Sequence, residues 1–250
     1  LWLYFQWANW VSLISGEGRA GQWLRLAVVF GWFVPYLSVR FSSENVAGLV
    51  FAWGLLLLCK AGKLLTFQRG FLIGFLWGLS FSFRFQMGFA LLGMGGWLVF
   101  RGIEHSMVRR LSHIIPLLFG GIFALALGFC ADRWLYGESV FTAYNYFTAN
   151  ILENKAANWG TAPWWFYFVQ TVLTVAPPIS IFLLGFVALG IWRARNREVT
   201  WAFLPFLLAH LLVAHKEMRF LYPMLLPVLV LGALGLAAFF QDLRGVAGRF

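Results

Sequence analysis

Nine apolar runs, separated by short polar and charged segments, dominate the pattern of this chain. They cover roughly 1–14, 23–39, 46–58, 71–83, 87–99, 114–131, 164–192, 201–214 and 220–240. A straight helix needs about 20 apolar residues to cross a bilayer, and several runs are shorter. The runs at 46–58, 71–83 and 87–99 are expected to be broken or re-entrant helices, or to extend beyond these boundaries. The pattern predicts an all-α polytopic membrane protein with about nine transmembrane or broken helices, forming a single integral membrane domain over 1–250.

Composition supports this class. The chain is 61% hydrophobic and 11% charged, whereas about a quarter of the residues of a soluble domain are charged. The net charge of +10 does not indicate a nucleic-acid-binding protein, because the basic residues are scattered singly rather than clustered on one solvated face. Cys59 and Cys130 lie in or beside apolar stretches without metal-ligand spacing, so they are predicted to be small packing residues and no metal site is expected. The many glycines of the apolar runs, including Gly93, Gly95 and Gly96, are expected to let helices approach closely.

Basic residues divide into two sets whose members alternate along the chain, 13 in one set and 6 in the other. The larger set comprises Arg19, Arg25, Lys60, Lys63, Arg69, Arg101, Arg109, Arg110, Arg193, Arg195, Arg197, Arg244 and Arg249. The smaller set comprises Arg40, Arg84, Arg133, Lys155, Lys216 and Arg219. The positive-inside rule assigns the larger set to the cytoplasm. Snorkelling explains part of the outer set, but several cations on one face also indicate an anionic ligand such as a lipid phosphate.

The longest predicted outer loop spans 132–163 and combines aromatic side chains with Asn, Thr and acidic residues. Such a mixture suits carbohydrate, because sugar C–H faces stack on rings while hydroxyls need amides and carboxylates. An interfacial aromatic belt is the alternative, since Trp and Tyr favour the headgroup depth. The chain starts directly in an apolar run without a basic leader, and we expect it to be the C-terminal portion of a longer enzyme.

A cluster of ionisable side chains separates the last two apolar runs. His215, Lys216, Glu217 and Arg219 occupy four of five consecutive positions. Ionisable groups at a membrane boundary are costly, which makes this cluster a functional-site hypothesis.

The residues of this cluster carry a family resemblance. His215-Lys216-Glu217-Met218-Arg219-Phe220 resembles the HKExRF signature of the polytopic mannosyltransferases of GPI-anchor and lipid-linked N-glycan assembly (glycosyltransferase family 22, GT-C superfamily). Three further segments resemble this family. They are 159–168, similar to a YGTHPWHWYF stretch; 144–147 followed by Asn150; and, more weakly, 40–45. The sequence departs from the family at Ala162, where a His is usual, and in lacking an HPDE-like acidic loop before Arg40.

The resemblance implies a GT-C-like bundle and an inverting, metal-independent transfer without a cofactor. A mannose-like sugar would move from a polyprenyl-phosphate donor to a glycan or glycolipid acceptor, among membrane lipids, on the luminal or periplasmic side of an endoplasmic reticulum or bacterial inner membrane. Lys216 and Arg219 are predicted to hold the donor phosphate, with Arg40 and Arg84 as further candidates. His215 and Glu217 would orient Lys216 and Arg219 or contact sugar hydroxyls. Glu217 is equally suited to a local ion pair with Lys216 or Arg219. The predicted sugar and acceptor residues are Tyr144, Asn145, Asn150, Trp159, Gly160, Trp164 and Trp165.

Two other functions fit the same composition. A transporter or lipid flippase would line its pathway with intramembrane charge, but the charge of this chain lies at span ends and no internal repeat is visible. A non-catalytic membrane subunit is also compatible, because no residue matches the acidic base that the family uses.

Overall fold

The computed structural model describes residues 1–16, 18–31, 33–39, 41–62, 65–100, 107–153, 155–175 and 177–247. These residues form α1 (Trp2–Ser15), α2 (Gly18–Phe30), α3 (Phe33–Val39), α4 (Ser43–Ala61), α5 (Phe67–Phe83), α6 (Met87–Phe100), α7 (Met107–Tyr136), α8 (Thr142–Phe147), α9 (Phe166–Val175), α10 (Ile179–Arg193), α11 (Glu198–Leu212) and α12 (Leu225–Ala247). The chain also forms a π-helical turn at Thr148–Leu152 and two 3₁₀ segments at Lys155–Trp159 and Met218–Met224. The all-α class predicted from the pattern is confirmed.

Two of the apolar runs divide into pairs of helices. The run at 23–39 becomes α2 and α3, and Pro35 lies in the first turn of α3, a position where proline needs no hydrogen-bond partner. The run at 164–192 becomes α9 and α10, which are separated by Pro177 and Pro178. Proline has no N–H to continue a helix, so the sequence itself explains this break.

Three of the described helical segments are long and apolar enough to cross a bilayer, namely Ser43–Ala61, Leu111–Tyr136 and Met218–Arg244. Several other apolar helices are shorter, including α6 and α11. The short run at 46–58 is part of the continuous 19-residue helix α4, so its boundaries rather than a break explain its length. The segment over Met218–Arg244 begins as a 3₁₀ turn that contains Pro223 and continues as α12. A polytopic membrane protein with some short helices is therefore the observed architecture.

Glycines mark the positions where the helices pack most closely. A Cβ atom at Gly74 of α5 would overlap the carbonyl oxygen of Leu117 in α7, and one at Gly93 of α6 would overlap that of Trp201 in α11. Gly235 of α12 approaches the carbonyl oxygen of Phe186 in α10 in the same way. Small residues allow such close backbone approach in membrane bundles, which confirms the interpretation of these three glycines as packing residues. The same prediction was wrong for Gly95, where an added Cβ would meet no atom within 4 Å.

The described members of the two basic sets lie at opposite ends of the bundle. At one end, Arg193 donates to Asp242 at 2.6 Å, and the Gln241 side chain donates to the backbone oxygen of Ser15 at 2.9 Å. At the other end, Arg84 pairs with Glu44 at 3.0 Å. Helices α11 and α12 connect the two ends, so the alternation seen in the sequence corresponds to two separate surfaces.

The predicted outer loop is largely helical. Helix α7 extends into it as far as Tyr136, and α8, the π-helical turn and a 3₁₀ segment follow. Thr142 donates to the Asp132 carboxylate at 2.5 Å, and Arg133 donates to Ser139 at 2.9 Å. These contacts between the end of α7 and the returning chain bring the segment back over the bundle.

Candidate functional site

A cavity of about 740 Å³ opens at the end of the bundle that carries the predicted outer set. This volume lies within the range of small-molecule pockets. The ends of α5 and α11, the start of α6 and the outer segment surround it. The predicted site residues that line it are Arg84, Asn150, Trp159, His215, Lys216, Glu217 and Arg219.

The segment after α11 pairs with residues 160–162, so that two stretches far apart in the sequence form one wall. The Ala162 N–H donates to the Ala214 carbonyl at 3.0 Å, and His215 Nδ1 donates to the Gly160 carbonyl at 2.9 Å. Gly160 adopts a φ of 100°, which glycine reaches without a Cβ clash. The Trp-Gly-Thr-Ala motif therefore positions the charged cluster, and Gly160 acts through its backbone.

Lys216 is buried, with 8% of its surface exposed. Its ammonium donates to the carbonyl oxygen of Ala162 at 3.0 Å and also to that of Val213. An ammonium has three N–H donors, so one donor is left for the cavity that Lys216 lines. Burial disfavours the charged form and lowers the pKa of Lys216 below its ordinary value.

Glu217 is held between Arg219 and His215. Arg219 donates to both carboxylate oxygens, at 2.9 and 2.5 Å, and His215 Nε2 lies 3.0 Å from one of them. Burial raises the pKa of Glu217, but the hydrogen bonds from His215 and Arg219 outweigh it and the net pKa is lowered. The local ion pair considered for Glu217 is thus observed with Arg219, and the carboxylate orients that guanidinium.

Arg84 ends α5 and faces a buried carboxylate. Its Nη2 lies 3.0 Å from Oε1 of Glu44, and its guanidinium carbon lies 5.5 Å from the centre of the Phe220 ring. Glu44 belongs to the first turn of α4, where Ser42 caps the helix, and the positive end of the helix favours a negative charge. Sequence reasoning missed Glu44 as a site residue, although an acidic residue at the start of an apolar run was a usable signal.

Other predicted residues lie outside the cavity wall or outside the described residues. Tyr144, Asn145, Trp164 and Trp165 are exposed and do not line the cavity. Trp159 lines it at an edge, with 83% of its surface exposed. Arg40 is not among the described residues.

Not all members of the outer basic set converge on the cavity. Lys155 pairs instead with Glu153 at 2.6 Å, and Arg133 donates to Ser139. Among the described residues, no group of three or more His, Cys, Asp or Glu side chains is placed to hold a metal ion. Among the described members of the outer set, Arg84, Lys216 and Arg219 line the cavity. The two arginines each pair with a carboxylate, Glu44 and Glu217, whereas Lys216 donates to backbone carbonyl oxygens.

Comparison with known proteins shows the family of this chain. The Alg9-like mannosyltransferase family matches residues 5–246. The chain belongs to this family. Its HKExRF-like cluster and its Trp-Gly-Thr-Ala segment, which form one wall of the cavity, are the motifs on which the resemblance was based.

Several proteins similar to this chain are named for GPI mannosylation. GPI mannosyltransferase 3 of Yarrowia lipolytica is 29% identical over 230 residues, which are 91% of this chain and 39% of that protein. GPI alpha-1,2-mannosyltransferase 3 of Homo sapiens is 30% identical over 117 residues, 46% of this chain and 20% of that protein. GPI mannosyltransferase 3 of Trypanosoma brucei brucei is 27% identical over 213 residues, 76% of this chain and 34% of that protein. The chain thus spans well under half the length of these relatives, and no solved structure matches it.

Proposed function

We propose that this chain forms the donor-binding part of a GPI mannosyltransferase. The enzyme transfers mannose from a dolichyl-phosphate-type polyprenyl donor to a GPI glycolipid acceptor at the luminal face of the endoplasmic reticulum membrane. The observation that carries the proposal is the cavity that Arg84, Lys216 and Arg219 line at the end of the bundle with fewer basic residues. The names and eukaryotic sources of the relatives support the acceptor and the membrane.

A second cavity supports a lipid-linked donor. It has a volume of about 430 Å³, lies between α5, α6 and α7, and is lined by apolar residues that include Leu91, Leu118 and Ile122. Phe81 lines both cavities, so an apolar groove at membrane depth adjoins the charged one. A polyprenyl phosphate combines an apolar chain with an anionic head, and the two adjoining cavities accommodate these parts respectively.

The cations of the site suit the departing phosphate. As the sugar leaves, negative charge grows on the lipid phosphate, and preorganised N–H donors stabilise that charge most effectively in a water-poor cavity. The remaining N–H of Lys216 and the guanidinium of Arg219 supply such donors. In an inverting displacement a carboxylate takes the proton of the acceptor hydroxyl. Glu217 is held by two donors, so we assign it to the orientation of Arg219 rather than to this base.

The test is mannose transfer from dolichyl phosphate mannose by the full-length gene product in membranes. Charge-assisted hydrogen bonds contribute about 1.5–3 kcal/mol, so Lys216→Met and Arg219→Gln should each lower transfer by roughly 10-fold or more. Arg133→Gln is the matched control, because Arg133 belongs to the outer set but pairs with Ser139 away from the cavity. Its transfer should be unchanged.

Two results would contradict the proposal. Unchanged transfer in both Lys216→Met and Arg219→Gln would refute the phosphate assignment. Absence of transfer by the wild-type protein would favour a transporter, a flippase or a non-catalytic subunit.

A further inference from the structure

Several buried polar atoms without a hydrogen-bond partner belong to residues that line the 740 Å³ cavity. Within the described part of the chain, seven buried side-chain nitrogen or oxygen atoms have no hydrogen-bond partner. Three of these atoms belong to residues that line this one cavity: His210 Nε2, Gln86 Oε1 and Arg84 Nε. Buried polar atoms are nearly always paired in folded proteins, so this concentration indicates a ligand that completes them.

His210 is the most constrained of the three. Only 4% of its surface is exposed, and its ring stacks on Phe206 with centroids 4.2 Å apart and meets Phe89 edge-on at 6.2 Å. Its Nδ1 lies 2.7 Å from the Phe206 carbonyl oxygen, and a carbonyl only accepts, so Nδ1 carries the proton. The other nitrogen of the neutral ring is then an acceptor, and this acceptor has no partner.

A charged phosphate oxygen cannot complete two of the three atoms. Phosphate oxygens that carry charge only accept hydrogen bonds, whereas His210 Nε2 and Gln86 Oε1 need donors. A hydroxyl both donates and accepts, so it can donate to either acceptor while it accepts from the Arg84 Nε–H. A ligand with several hydroxyls therefore supplies both the donors and the acceptors that the three atoms need.

His210 and Arg84 lie against the same aromatic ring. The ring centroids of Phe220 and His210 are 6.4 Å apart. The Arg84 guanidinium carbon lies 5.5 Å from the Phe220 centroid. The His215 ring contacts Phe220 as well, with centroids 5.7 Å apart. One aromatic ring thus lies between the charged cluster and the unpaired atoms, which is a suitable arrangement for a sugar next to its phosphate.

We infer that His210, Gln86 and Arg84 form a hydroxyl-binding subsite for the transferred sugar of the donor. Lys216 and Arg219 hold the phosphate of the same molecule. The inference rests on the proposed function and deepens it, and it changes the role of Arg84. That residue was predicted to bind phosphate, but its Nη2 already contacts Glu44 and its Nε–H is assigned here to a sugar hydroxyl.

The test compares two lipids that differ only in the sugar. Dissociation constants for dolichyl phosphate mannose and for dolichyl phosphate are measured on the purified full-length gene product. His210→Phe keeps a ring of similar shape and removes the acceptor. It should weaken binding of the sugar-bearing lipid about 10-fold, the effect of one lost hydrogen bond to a buried group. Dolichyl phosphate should bind as tightly as before.

Three further variants complete the design. His210→Gln restores an acceptor at a similar reach and should regain most of the affinity for the mannose lipid. Gln86→Leu should show the same selective loss as His210→Phe. If His210→Phe shows no cooperative thermal transition and is therefore not folded, the test is made with Gln86→Leu. Ser180→Ala is the control, because Ser180 is buried and donates to the Val172 carbonyl oxygen, and neither residue lines the cavity.

The outcomes separate this inference from the proposed function. If wild type binds both lipids and His210→Phe and Gln86→Leu weaken both equally or neither, the hydroxyl subsite is refuted while the phosphate site stands. If wild type binds neither lipid, the proposed function fails and the subsite fails with it. Loss of the mannose lipid alone supports both.

Discussion

Neutralising Glu44 should destabilise the protein through the charge it leaves behind on Arg84. The two groups are 3.0 Å apart, with 19% of the Arg84 side chain and 8% of the Glu44 side chain exposed. At an effective dielectric constant of about 20, two unit charges at that distance attract by about 5.5 kcal/mol before desolvation is subtracted. Removing one partner of a buried pair typically costs about 3–5 kcal/mol, because the remaining charge is unpaired. For Glu44→Gln we expect a loss near the lower value, since the amide keeps one hydrogen bond.

The assay is thermal unfolding of the purified full-length protein in detergent. For a domain of 150–250 residues each kcal/mol shifts Tm by about 2–4 °C, so Glu44→Gln should lower Tm by roughly 6–12 °C. Glu153→Gln is the matched control, because Glu153 pairs with Lys155 at 2.6 Å but both side chains are largely exposed, and such pairs contribute about 0–1 kcal/mol. The double variant Glu44→Met with Arg84→Met should lose less than the two single changes together.

A shift below about 2 °C for Glu44→Gln would refute this reasoning. Equal shifts for Glu44→Gln and Glu153→Gln would do the same, because burial would then have no influence on the strength of the pair. Strictly additive effects in the double variant would show that Glu44 and Arg84 act independently.

Two further predictions concern packing and pH. Gly74→Val should prevent the approach of α5 to α7, because its Cβ would overlap the Leu117 carbonyl oxygen. Gly185→Ala is the control, since its Cβ would meet no atom within 4 Å. The yield of monodisperse protein on size-exclusion chromatography should fall for Gly74→Val and not for Gly185→Ala. Burial lowers the pKa of Lys216 below its ordinary 10.5, so the protonated form that binds phosphate is lost at lower pH than for an exposed lysine. Affinity for dolichyl phosphate should therefore fall as pH rises through that lowered pKa, and Lys216→Arg, which stays charged, should extend binding to higher pH. A pH profile that is identical in Lys216→Arg would contradict the role of the ammonium.

Part of the candidate site was visible in the sequence because its residues are adjacent along the chain. His215, Lys216, Glu217 and Arg219 form one cluster, and the Gly160 segment carries a motif of its own. Exposed aromatic residues such as Trp164 were also predicted to bind sugar, yet they lie outside the cavity wall. Residue type alone does not distinguish a sugar-binding aromatic side chain from one at the membrane interface, since Trp and Tyr are typical of both.

Glu44, Gln86 and His210 were missed as site residues for a different reason. His210 lies inside an apolar run, where a single ionisable residue is itself a signal. Its unpaired Nε2, however, depends on the bond from Nδ1 to Phe206 and on the end of α11 facing the cavity. Gln86 is an ordinary polar residue in the turn between α5 and α6. It becomes a candidate only because it lines the same cavity as His210 and its Oε1 has no partner.

The sequence by itself determined the class of this protein, because hydrophobicity, proline breaks and the alternation of basic residues are local properties that each helix carries alone. It also determined the family, since the HKExRF-like cluster lies in one continuous stretch. Only the tertiary structure decided which charges pair and which polar atoms are left for a ligand. Arg84 meets Glu44 across 40 residues and His215 meets Gly160 across 55, and a hydrogen bond forms only when packing brings two such atoms within about 3 Å.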